Sequence, residues 1–279
     1  MPHAAVPLRR TGPRTWLRAV AGSFRLGLAS FGAYRSALVL DFIALAFNLG
    51  VPLSLWLALY QGRPGLVVDG MSLRALFTYT LVSLAIQLLT GSNVTWTLRE
   101  GIREGTIAME FLRPVPVPVA LLAQDFGNKV FALPMLALIG LVGVPLLRPL
   151  PPAAPQAFQF VLAVILAAVL VRVLMLLLGS LCFWTLEGRG LIGGSLFVIQ
   201  FLSGSTLPLA FFPGVLGAVA AFLPFQGLIN LPILFYLGHL GGTAGWQALA
   251  RQAVWTAGVG LTAAWVWSRA VRKLVIQGG

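Results

Sequence analysis

The sequence predicts an all-α polytopic membrane protein, and three observations carry that prediction. Hydrophobic residues make up 58% of the 279, with eight Trp and eighteen Phe among them. Charged residues are only 9%. Apolar blocks of about 20 residues, the length a helix needs to cross a bilayer core, recur along most of the chain. No soluble domain of this size needs so much apolar surface. The blocks leave a single transmembrane domain over residues 1–279 and no room for a separate globular catalytic domain.

Residues 13–35 form the first element. On a helical wheel Arg14, Arg18 and Arg25 cluster on one side, and Trp16, Val20, Phe24, Leu28 and Phe31 on the other. This pattern predicts an amphipathic helix lying in the interface, apolar face toward lipid and arginines toward headgroups. The formal net charge of +12 is therefore read as attraction to anionic lipid, not to nucleic acid. The first long apolar run starts near Ser36 and is too long for a signal-peptide h-region.

Six spans follow, at about 36–60, 73–95, 126–147, 157–186, 191–212 and 252–271. With the N-terminus inside, cytoplasmic segments collect fourteen basic residues and outer segments four: Arg63, Arg74, Arg148 and Arg251. The positive-inside rule then places both termini in the cytoplasm. The connector Arg148–Pro155 is stiffened by proline and reads as a spacer. Residues 207–242 are apolar but broken by Pro208, Pro213, Pro224 and Pro232. Two pieces, about 214–223 and 226–237, are too short to cross, which predicts an outer cap of re-entrant or interfacial helices.

The connector Thr97–Pro118 holds Arg99, Glu100, Arg103, Glu104, Glu110 and Arg113. Glu100 and Arg103 are three apart, as are Glu110 and Arg113, a spacing that stabilises an exposed helix by roughly a few tenths of a kcal/mol. Ile102, Ile107, Phe111 and Leu112 supply an apolar edge. Pro114, Pro116 and Pro118 end the helix and return the chain, extended, to the membrane. From charge alone, a solvated loop helix and a docking helix are equally good readings.

Polar residues inside the spans are the remaining candidates. Arg172 falls near the middle of the fourth span, where a charge faces a cavity or a partner. Asp41 is a candidate counter-ion, and Asn48, Gln87 and Gln200 could line a path. The alternative for Arg172 is a structural salt bridge or snorkelling. Cys182, the single cysteine, lies in an apolar run and reads as an inert buried thiol. No Gly-rich loop ends in Gly-Lys-Ser/Thr, so the chain does not bind ATP in the P-loop manner. His3 and His239 have no metal-ligand neighbours at the right spacing, so no metal site or catalytic residue is assigned.

Taken together, the basic amphipathic helix, six spans and proline-broken cap resemble a permease subunit of the ABC-2 type. These are bacterial exporters with separate membrane and ATPase chains. Gly105-Thr106-Ile107 through Leu112-Arg113-Pro114 is similar to the connector of one subgroup of small six-helix permeases. The resemblance implies that residues 98–113 are a coupling helix docking on an ATPase, with Arg99, Glu100, Arg103, Glu104, Gly105, Glu110, Leu112, Arg113 and Pro114 as contact residues. It also implies a second permease copy or a similar chain, ATP and Mg held by the partner ATPase, no cofactor in this chain, and an inner-membrane location. The expected cargo is a lipid, a lipid-linked glycan or an amphipathic drug-like molecule. A secondary transporter or channel would carry midplane acids and inverted repeats, and a lipid-modifying enzyme would carry clustered His, Asp or Cys. Neither pattern is found in the sequence.

Overall fold

The structure, a computed structural model, describes residues 13–29, 35–60, 66–68, 70–185 and 188–277. Helix α1 runs Pro13–Ala29, opening with proline at a position where no N–H is needed. Of the expected 13–35 element, residues 30–34 lie outside the described residues. Trp16, Arg18, Phe24 and Arg25 are exposed as the wheel predicts, while the side chain of Arg14 lies outside the described set. Helix α1 crosses helix α6 (Val117–Gly127) where Gly27 meets Gly127. A Cβ on Gly27 would sit 2.2 Å from the Gln124 carbonyl, and one on Gly127 would sit 2.2 Å from that of Phe24. Only glycine allows this approach of two backbones.

Helix α2 (Arg35–Tyr60) shows most of its apolar side chains to the outside. It holds to the bundle through Trp56, whose indole N–H donates to Thr80 Oγ1 (3.1 Å), and Tyr60, whose hydroxyl donates to the Met71 carbonyl (2.7 Å). A two-residue antiparallel ladder, β1 (Val67–Val68) and β2 (Met71–Ser72), turns the chain into helix α3 (Leu73–Thr90). Ser72 caps α3 by accepting from the Ala75 N–H. Helix α3 is the centre of the bundle, buried on most sides.

The second expected span, 73–95, ends at Thr90. Gly91–Asn93 break the helix, and α4 (Val94–Arg103) begins in a new direction, with the Asn93 N–H held by Asp125 Oδ1 (2.9 Å). The connector is not one helix over 98–113. Gly105, at φ +74°, ends α4 and lets a one-turn helix, α5 (Ile107–Glu110), follow.

The third span starts earlier than expected and forms a continuous helical run, Val117–Leu147. It comprises α6, a tightened 3₁₀ turn at Asn128–Phe131, α7 (Ala132–Leu138), a π turn at Ile139–Gly143 and α8 (Val144–Leu147). Pro134 and Pro145 each remove an N–H from the ladder, and the irregular turns sit just before them. Helix α9 (Ala157–Leu181) is the apolar spine of the bundle.

Helix α10 (Arg189–Ser203) has 15 residues, about 22 Å, short of the ~30 Å hydrocarbon core. The expected span 191–212 is cut at Gly204, at φ +82°, whose carbonyl accepts from the Tyr79 hydroxyl (2.8 Å). Beyond it, α11 (Gly214–Phe222) and α12 (Asn230–Tyr236) fall within the two short pieces read from sequence. Helix α13 (Gly242–Gln277) has 36 residues, far longer than the expected 252–271. It packs along α9, with Ala163, Ala167, Ala263 and Ala270 almost wholly buried.

Four helical segments among the described residues are long and apolar enough to cross a membrane: Phe42–Tyr60, Leu73–Thr90, Val117–Leu147 and Ala154–Leu181. The expected six are thus matched in four by length and composition. Helix α10 is too short, and α13 is diluted by Gly, Thr, Trp and Arg.

Candidate coupling surface and polar cavity

The connector stands on α9. Thr95 donates to the Met175 carbonyl (2.7 Å), and Leu98 lies over Gly179, where an added Cβ would be 2.8 Å from Leu98 Cδ1. The two chains of contact fix the direction of α4. At its tip Glu100 pairs with Arg103 and, at 3.4 Å, with Arg99. Arg103 also reaches Glu104 (3.7 Å), and Arg113 reaches Glu110 (3.0 Å). Desolvation pushes the Glu100 carboxyl up, but the Arg103 guanidinium, by its charge and its hydrogen bond, and the charge of Arg99 more than reverse it and leave it below its ordinary range.

The expected contact residues do not all face outward. Arg103, Glu104, Gly105, Leu112 and Pro114 are exposed; Glu100, Glu110 and Arg113 are half-buried. Arg99 is turned into the bundle, 7% exposed, close enough to influence Cys182. Burial pushes the Cys182 thiol up, and Arg99 opposes this only in part. The apolar edge is also redistributed. Ile107 is buried, and Phe111 stacks on Trp267 of α13 with ring centres 6.3 Å apart. What faces out is Leu112, 80% exposed, with Met109, 67% exposed. Met109 was missed in the sequence, although its i, i+3 spacing from Leu112 was there to be read.

Among the described residues the partner of Arg172 is Asp125; the expected counter-ion, Asp41, has its side chain outside them. Arg172 Nε lies 3.2 Å from Asp125 Oδ2, with the two side chains 2% and 5% exposed. Arg172 Nη1 donates to the carbonyls of Ala168 (2.8 Å) and Thr90 (3.2 Å), and the guanidinium sits 3.6 Å from the Phe126 ring centre. The Thr90 bond sets the depth. Arg172 is level with the last turn of α3, not with the middle of the bundle. Asp125 in turn holds the Asn93 N–H at the start of α4. One ion pair therefore joins α3, α4, α6 and α9.

Asn48, Gln87 and Gln200 come together. They line one cavity of about 350 Å³ between α2, α3 and α10, with Trp56, Tyr79, Ser83 and Ser205 on its wall. Asn48 Nδ2 donates to the Ala44 carbonyl (2.8 Å) and Gln87 Nε2 to Ser83 Oγ (3.1 Å). The lining includes amides and hydroxyls but no formal charge. Among the described residues no group of three His, Cys, Asp or Glu could hold a metal.

A helical membrane bundle with a charged, apolar-tipped connector and an uncharged polar cavity is the framework of a transport subunit. The pattern of the ABC-2 family transporter proteins matches residues 46–278, and the chain belongs to that family. It is an integral membrane protein, the permease component of an ABC transporter, whose family works with ATPase subunits. No match is found among curated proteins.

Proposed function

We propose that this permease is an exporter subunit that pairs with a second permease, a copy or a similar chain, in the inner membrane. It has six spans, the four apolar segments joined by α13 and by α10 together with the residues that carry the chain on to 212, and both termini are cytoplasmic. Helix α1, the connector and the basic end of α13 gather at one end of the bundle, which supports this orientation. Residues 207–242 are then the cap of the other end.

The observation that carries the coupling role is the exposed Met109–Leu112 pair flanked by charge, on the one-turn α5 and the turn after it, which buried Ile107 and the Phe111–Trp267 stack hold to the bundle. Two large apolar side chains held in water by a short rigid element are a protein contact. The contact is a groove of the ATPase, which alone holds ATP and Mg. Closure of the ATPases drives α4 against α9 and switches access to a path between the permeases. The cargo is amphipathic: a lipid, lipid-linked glycan or drug-like molecule. Its uncharged polar head would suit the amides of the Asn48–Gln87–Gln200 cavity.

The test is co-elution of the detergent-solubilised permease with its ATPase. Met109→Glu with Leu112→Glu should abolish co-elution and stimulated hydrolysis while expression and insertion stay normal. Undiminished co-elution would remove the coupling role from this tip.

A further inference from the structure

We infer that the permease carries a site for one anionic phospholipid on its flank, with the acyl chain in an apolar groove and the phosphate on Arg74 and Arg148. The groove lies between α3, α8 and α9 and has a volume of about 350 Å³. Its walls include Ala85, Leu89, Val144 and Ile165, and it ends against Pro149 and Tyr236. Polar surface is nearly absent from it, and Leu89, Val144 and Ile165 are each about half exposed at its rim. The Leu150 N–H donates to Thr78 Oγ1 (2.8 Å), so the Pro149 end is level with Thr78. Along α3 the lining runs from Leu81 to Leu89, about 12 Å, and Pro149 extends it toward Thr78. That is a slot for one extended hydrocarbon chain.

The occupant's charge is read from the Pro149 end. Arg74 Nε donates to the Arg148 carbonyl (2.8 Å), and Arg74 Nη2 approaches the carbonyl of Pro149, itself a wall of the groove (3.5 Å). Both arginines are exposed, and neither has a carboxylate partner among the described residues. Arg148 adopts φ +45°, a left-handed conformation rare for a branched or long side chain, and it is the single non-glycine residue among those described to do so. The strained turn places its carbonyl under the Arg74 guanidinium. Two cations without a carboxylate partner among the described residues, at the Pro149 end of an apolar slot, complement a phosphodiester whose tail lies in the slot. A zwitterionic headgroup would bring its own cation against them. In the proposed orientation the site faces the outer leaflet, but the lipid contact requires only that the protein is membrane-embedded.

The probe is a phosphatidylglycerol, compared with a phosphatidylcholine of the same chains, bound to the purified full-length permease and read by native mass spectrometry. Wild type should retain phosphatidylglycerol on the order of tenfold more strongly than phosphatidylcholine. Arg74→Gln with Arg148→Asn, asparagine being tolerated at the left-handed position, should erase that preference. Arg251→Gln, an exposed arginine elsewhere, should leave it intact. Ala85→Phe should fill the slot and weaken both lipids. Equal retention of the two lipids by wild type, or an unchanged preference in the double variant, would overturn the site. Competition by free glycerol phosphate as strong as by the whole lipid would also overturn it, since the groove would then be idle. Circular dichroism on each variant separates lost binding from lost fold. Binding is read without transport, so failure of this site and failure of the exporter reading are distinguishable.

Discussion

Asp125 and Arg172 lie 47 residues apart in sequence and face each other at 3.2 Å in a pocket that excludes water. The pair closes a loop of four helices, because Arg172 also holds the last carbonyl of α3 and Asp125 holds the first N–H before α4. Its place at the end of α3 makes it the joint that ties the connector to the bundle.

Breaking that pair from one side should be severe. Asp125→Asn leaves a buried guanidinium without its counter-charge, a loss of about 3–5 kcal/mol. The expected result is a marked drop in thermal midpoint in detergent and in yield. Asp125→Leu combined with Arg172→Met should recover much of it, because two apolar residues of similar volume remove both charges together. A double variant no more stable than Asp125→Asn would show that the ion pair is not the source of the loss.

Glycine at position 179 lets α4 lie on α9. Gly179→Val would drive side-chain atoms into Leu98 and destabilise by about 1–3 kcal/mol. Stimulated ATP hydrolysis should fall with it, as the connector loses its seat. Gly190→Ala, where nothing lies within 4 Å, should be neutral or slightly stabilising. Thermal melts of the two variants, side by side, check the contrast.

Charge reversal at the tip isolates electrostatics from packing. Glu100→Arg with Glu104→Arg removes intrahelical pairs worth roughly 0.2–0.5 kcal/mol each, whereas like charges meeting across an interface lose several kcal/mol. The double variant should fold and insert, yet separate from the ATPase, and more so at low salt than at high. Co-elution that does not depend on ionic strength in either protein would exclude these carboxylates from the interface.

Topology can be read by thiol labelling. Cys182 is buried and its thiol is pushed up, so it should react slowly, and Cys182→Ser provides a clean background. Thr243→Cys should label from outside intact cells and Thr106→Cys should not. Labelling of residue 106 from outside would invert the orientation.

Much of the bundle was legible because helix boundaries left chemical marks. Ser72 caps α3 where the second apolar block begins, and the proline-broken segment after Leu207 yields two short helices. The counter-ion of Arg172 was not legible. Asp125 is a lone acid in apolar surroundings, and its place beside Arg172 follows from where α6 is held as it crosses α1 at Gly27 and Gly127, a tertiary fact. The break at Gly105 was visible only as a glycine between charged residues, and its positive φ separates what charge spacing had joined. Arg99 and Arg103 share one face of α4, and the one turn of depth between them, about 6 Å, separates a guanidinium buried near Cys182 from one in water.

Helix α13 is a beam without a proline joint along its 36 residues, about 54 Å. Near one end Gln252 is pinned to the carbonyls of Gly227 and Ala163; near the other Trp267 is wedged between Phe183 and Phe111. A strut held at both places resists bending between them. A displacement delivered to Phe111 is therefore expected to reach Gly227 as tilt or axial rotation of one rod.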